Sequence, residues 1–91
     1  MKVKVGYGGL ARAAAGRASE EFDLDAAVGV RDLLAEIARR HGANMHSLLA
    51  TGARGAPAVL MFVGDAQVVW ETPPRLKDGD DVMLLSPISG G

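Results

Sequence analysis

Only one long stretch of this chain spaces its apolar residues for a helix, and strand-like alternation flanks it on both sides. Val30, Leu33, Leu34, Ile37, Ala38 and His41 recur at i, i+3, i+4, i+7, i+8 and i+11, a single continuous stripe. Arg31, Asp32, Glu36, Arg39 and Arg40 occupy the other side, with Glu36 spaced to pair with Arg40 one turn on. Gly42 supplies a stop, and Gly29 a serviceable but weak N-cap. A lone amphipathic helix must bury its stripe against something else, and a sheet is the partner available.

The strands are legible from their period of two. In KVKVGY, Val3, Val5 and Tyr7 share one face while Lys2, Lys4 and Gly6 share the other, and Gly8-Gly9 ends the run. LARAAAGR allows a short helical turn before a second strand, Ala18 to Asp25. There Phe22 and Leu24 point one way and Glu21, Asp23 and Asp25 the other, so the two strands form an N-terminal hairpin.

Beyond the helix, Ala43 to Pro57 reads as a loop with a helical turn around Met45, Leu48 and Leu49. AVLMFV is a third strand, and Gly64-Asp65 turns it into a fourth, Gln67 to Trp70. Thr72, Pro73 and Pro74 break that strand, Leu76 plugs the core, and Lys77-Asp78-Gly79-Asp80 turns into a last strand, Asp81 to Ser86. The expected order is β-β-α-β-β-β, an α+β chain with one mixed sheet packed on one main helix. This is the β-grasp arrangement of ubiquitin, in which the first and last strands are central neighbours. The expected organisation is a β-grasp domain over residues 1–86 and a flexible tail over 87–91.

Composition narrows the function classes. At 91 residues the chain is one small domain, and with ten basic and eleven acidic side chains it carries a net charge of -1. No basic run exceeds Arg39-Arg40 and aromatic residues make up 4%, so neither phosphate rows nor stacked bases have a site, and no nucleic-acid partner is expected. Cysteine is absent, which removes disulfides, thiolate metal sites and a cysteine nucleophile. MKVKVGYGG has no signal-like apolar core, and no stretch approaches the roughly 18 apolar residues of a membrane span; the expectation is a cytoplasmic protein without a membrane partner.

Several apparent motifs yield to plainer readings. GYGGLA fits G-x-G-x-x-A through Gly6, Gly8 and Ala11, but Gly16 cuts the following helix short and no acidic residue sits about twenty positions on at the end of a parallel strand. A turn that uses glycine's backbone freedom is the simpler expectation. His41 and His46 lack carboxylates at ligand spacing, so no metal is expected: His41 favours the helix C-terminus and His46 lies in a polar loop. Glu20-Glu21 and Asp80-Asp81 read as solvated pairs. No G-x-S-x-G elbow is present, and a one-helix domain leaves little room for a concave pocket, so no autonomous active site is expected.

The C-terminal SPISGG is different. Gly90 and Gly91 follow a strand expected at the centre of the sheet, and Pro87 stiffens the exit while pushing Ser86 away from helix. Read blandly, such an end frays. Read chemically, it is a thin rod whose tip can enter a narrow channel, because residues without a β-carbon let the channel close around the backbone. An acyl adenylate forms at a terminal carboxylate, and a carboxylate threaded into another protein's ATP site needs such a tip. Ser89 is the next smallest step.

LKDGDDVMLLSPISGG, together with YGGLARAAAGRASEEFDLD and VRDLLAEIARRHG, resembles the MoaD/ThiS family of ubiquitin-like sulfur carrier proteins over nearly the whole chain. The length is nearer to molybdopterin synthase small subunits than to the shorter thiamine carriers. The resemblance implies a cycle: a ubiquitin-activating-type enzyme adenylates Gly91 with ATP, a persulfide donor displaces AMP, and the C-terminal thiocarboxylate gives its sulfur to an acceptor, molybdopterin synthase being the expected one. The chain would then be a carrier, or the small subunit of a sulfurtransferase complex, with no bound cofactor of its own. Carried over residue by residue, Gly91 holds the reactive group, Gly90 permits entry, and Pro87, Ile88 and Ser89 line the inserted tail.

The strands add a docking face. With Val82 and Leu84 toward the helix, Met83 and Leu85 face outward, beside either Leu60 and Phe62 or Val59, Met61 and Val63. The expected partner-binding set is Gly90, Ser89, Ile88, Pro87, Leu85, Met83, Phe62 and Leu60. A protein modifier joined to lysines through Gly91, or a carrier for thiamine, cysteine or another metabolite, is the alternative. Gly29, Gly64-Asp65 and the segment 43–58 depart from the family pattern, on the variable surface where acceptor specificity would lie.

Overall fold

The computed structural model describes residues 1–25, 28–50 and 59–86, and the expectations for 51–57 lie outside them. The elements run β1 (Lys2–Gly9), α1 (Leu10–Ala15), β2 (Ser19–Asp23), α2 (Val30–His41), α3 (Ala43–Leu49), β3 (Leu60–Val63), β4 (Ala66–Gln67) and β5 (Asp81–Ser86). The strands form one sheet in the order β2-β1-β5-β3-β4, with β1 and β5 parallel and the other pairs antiparallel. The central neighbours are therefore the first and last strands, as the β-grasp requires.

The inner face of the sheet packs on the α2 stripe. Val3, Val5, Tyr7, Phe22, Met61, Val82 and Leu84 meet Val30, Leu33, Leu34 and Ile37, all buried. Burying each such side chain is worth about 1.5–3 kcal/mol, so this layer is the main stabilising term. Leu76 is 4% exposed and closes one side of the core, as its place between the prolines and the turn suggests. The α2 start is stronger than Gly29 alone would make it, because the Gly29 N–H donates to Asp32 Oδ2 at 3.0 Å.

The structure corrects several readings. β1 continues through Gly8 to Gly9, so the glycines of GYGGLA sit in a strand, and of Gly6, Gly8 and Gly9 only Gly9 has positive φ (63°). β2 is shorter than Ala18–Asp25, and Leu24 lies beyond its end; the inner residue beside Phe22 is Glu20. Met45, Leu48 and Leu49 belong to a helix, α3, which carries an exposed His46. The fourth strand is Ala66–Gln67, although the Val68 N–H still reaches the Met61 carbonyl at 2.8 Å. A turn closed by Thr72 N–H on the Val69 carbonyl at 3.0 Å stops it before Trp70. Glu36 pairs with Arg39, and Arg40 turns toward Glu20.

Leu84 is fully buried on a central strand, so Leu84→Ala leaves a cavity where the sheet has no room to collapse. The expected loss is about 3–5 kcal/mol, read from the urea midpoint by circular dichroism, and a loss under about 1 kcal/mol would contradict this packing.

Candidate functional site

β5 delivers the chain out of the middle of the sheet. Its entry is pinned by the Lys77–Asp80 turn: Asp80 Oδ2 accepts from the Lys77 N–H at 2.7 Å and Asp78 Oδ1 from the Lys2 N–H at 2.7 Å. Gly79 takes φ 85°, which L side chains resist, and its N–H donates to the Lys2 carbonyl at 2.7 Å. At the far end Ser86 pairs with Gly9 and is 5% exposed. The residue at which the tail begins is thus held by core packing and strand pairing. Pro87, Ile88, Ser89, Gly90 and Gly91 lie outside the described residues.

The outer face of the sheet divides into rows across the strands. Gly8, Leu85 and Leu60 form one row across β1, β5 and β3, and Gly6, Met83 and Phe62 form the next. Of the two alternatives for AVLMFV, the outward pair is Leu60 and Phe62, since Val59 and Met61 are buried. Leu60 (38%), Met83 (44%) and Leu85 (36%) are exposed, with Phe62 half-buried. Leu10, which follows Gly9 at the tail end of the sheet, is also exposed and escaped the sequence reading. The third row, Glu21, Lys4 and Asp81, is charged. The apolar part of the face therefore lies at the end where the tail leaves.

On the inner side a polar cluster occupies a place the sequence reading assigned to solvent. Glu20 is 9% exposed, and its carboxylate accepts from Tyr7 Oη at 2.6 Å and from Arg40 at 3.2 Å, while also contacting His41 Nε2; Arg17 stands 3.7 Å away. The Tyr7 and His41 rings meet edge to face, and the Arg40 guanidinium lies 4.1 Å over the Phe22 ring. His41 thus faces a carboxylate as well as the helix end. Two signals marked this: Glu20 shares strand parity with Phe22, and His41 closes the α2 stripe. Burial alone would raise the Glu20 pKa, but the hydrogen bonds from Tyr7, His41 and Arg40 outweigh it and hold the carboxyl below its usual range. Burial, followed by the bond to Glu20 and its charge, pushes the Tyr7 phenol far above its ordinary value.

This cluster is a clamp between the hairpin and the end of α2, with each member occupied by another. Among the described residues no group of three metal-ligating side chains is present. A groove of about 540 Å³ between α2 and α3 runs over Leu34 and Leu49 with Arg31, Arg39 and His46 at its rim, and among the described residues no carboxylate or hydroxyl lines it. No described helix is long and apolar enough to cross a membrane.

The clamp makes a pH prediction. A carboxyl whose folded pKa is depressed adds stability above its unfolded pKa of about 4.3 and loses it as pH falls through the folded value. Glu20→Gln is expected to cost about 1–3 kcal/mol at neutral pH. The gap to the native chain should narrow steadily below about pH 5 in urea titrations; a gap that stays constant with pH would count against the clamp.

The comparisons with known proteins agree with this geometry. The ThiS family model matches residues 5–91. The molybdopterin synthase sulfur carrier subunit of Chlamydomonas reinhardtii is 32% identical over 91 residues, with 100% of both chains covered. A solved structure of a putative molybdopterin converting factor subunit 1 from Pyrococcus furiosus is 35% identical, with a TM-score of 0.77 over 97% of this chain and 99% of that one. SAMP1 from Haloferax volcanii, at 18% identity and a TM-score of 0.77 with 100% of each chain covered, shares the fold. With a family model matched from residue 5 to residue 91 on a β-grasp domain, the chain belongs to the ThiS family.

Proposed function

We propose that this protein is a sulfur carrier whose Gly91 carboxylate is adenylated, converted to a thiocarboxylate and used to donate sulfur, in the manner of a molybdopterin synthase carrier subunit. The observation that carries the reading is the family match through residue 91 on a domain whose central strand leads directly into the tail. Two relatives above 30% identity, one named a molybdopterin synthase sulfur carrier subunit and the other a converting factor subunit 1, favour molybdopterin over other acceptors.

In the proposed cycle a Gly91 carboxylate oxygen attacks the α-phosphate of ATP in an adenylating partner, and pyrophosphate leaves. The terminal sulfur of a persulfide donor then attacks the acyl carbon and AMP leaves. A second thiol then attacks the donor-side sulfur of the resulting acyl disulfide, forms a disulfide with the donor and releases the thiocarboxylate as leaving group, which a synthase large subunit receives. The carrier's own residues supply no proton transfer in this scheme. Its domain docks, and Pro87, Ile88, Ser89 and Gly90 carry the carboxyl to its destination.

Intact mass after incubation with an adenylating enzyme, ATP and a persulfide donor is the test. The native chain is expected to gain about 16 Da, sulfur for oxygen, and a chain lacking Gly91 to gain nothing. Adenylate without the mass gain, together with lysine conjugates that need Gly91, would instead establish the modifier reading.

A further inference from the structure

Gly6 and Gly8 stand where the backbone does not need glycine. Both lie inside β1, and neither has the positive φ that Gly9, Gly16, Gly42, Gly64 and Gly79 adopt. A glycine in a strand weakens it, and an alanine at either position would favour the extended chain. What an added Cβ would meet is on the outer face. At Gly8 it would stand 2.8 Å from Leu85 Cδ1, and at Gly6 3.0 Å from Met83 Cε. These are the free ends of exposed side chains, able to rotate away without disturbing the core.

The consequence is a surface shape. Met83 and Leu85 fold down over their direct neighbours Gly6 and Gly8, and with Phe62 and Leu60 they make a low apolar platform. Gly91 stands five residues beyond Ser86, a reach of at most about 18 Å. An ATP site that closes on the Gly91 carboxylate therefore brings its own enclosing surface against the tail end of the sheet, where the platform lies.

We propose that Gly6 and Gly8 are specificity-determining residues that keep Met83 and Leu85 level, so that the platform fits a flat apolar surface on the adenylating enzyme. This rests on the sulfur-carrier reading above. Side chains at these two positions raise the platform and weaken docking while leaving the fold and the tail unchanged.

The test is carrier-dependent ATP–pyrophosphate exchange by the adenylating enzyme, with thermal melts of each carrier. For Gly8→Val the KM for carrier is expected to rise about tenfold or more with kcat within about twofold, and Gly6→Ala and Gly8→Ala to show smaller rises in the same sense. Melting temperatures should be unchanged or higher. Normal KM values in Gly6→Ala, Gly8→Ala and Gly8→Val overturn the assignment and leave the carrier reading intact. A defect seen only in sulfur transfer to the synthase large subunit overturns the choice of partner. Failure of the native chain to support exchange, with an enzyme active on another carrier, removes the carrier reading and this inference with it.

Discussion

The parallel pairing of β1 with β5 is the constraint on which the rest of the structure depends. Joining the first strand to the last at the centre of the sheet requires the chain between them to leave, form α2 as a cover, and return along the opposite edge. It also puts paired, buried backbone next to the point where the tail begins, since Ser86 is paired with Gly9 and buried directly before Pro87. The proposed carrier cycle needs this combination, a tip that can enter a partner's active site on a base fixed enough to dock reproducibly.

The two faces of the sheet divide the work. The inner face holds the core and, at one end, the Glu20 clamp, where a buried carboxylate binds Tyr7 of β1 and Arg40 and His41 of α2. A buried charge with one partner removed is costly, so the clamp disfavours helix positions that leave Glu20 unpaired. The outer face carries large side chains over small ones, and Gly6 and Gly8 contribute by what they lack. Changes on the inner face should therefore register in stability, and changes on the outer face in the proposed docking.

Most of the fold was legible because its signals are local. The α2 stripe, the alternation of β1 and β5, the turn at Lys77–Asp80 and Leu76 as a core plug all follow from spacing or backbone chemistry within a few residues. The Gly64–Asp65 turn was legible on the same terms, whereas the length of β4 was not, because the turn after Val68 competes with the ladder. Arg40 shows the limit most clearly. Its local spacing favours Glu36, but Glu20 lies on the neighbouring strand, is buried, and offers a dielectric in which an ion pair is stronger.

The sequence by itself determined the α2 stripe, the alternation of β1 and β5, the inward and outward parity of β5, and the diglycine tail on which the proposed chemistry rests, because periodicity and backbone freedom act between near neighbours. Only the tertiary structure decided that Glu20 faces Tyr7, Arg40 and His41, that Leu60 and Phe62 are the outward pair, and that Gly6 and Gly8 lie beneath Met83 and Leu85. Each of these depends on strand register, which brings together residues from 13 to 77 positions apart (Tyr7 with Glu20, Gly6 with Met83, Gly8 with Leu85), and no local pattern records register.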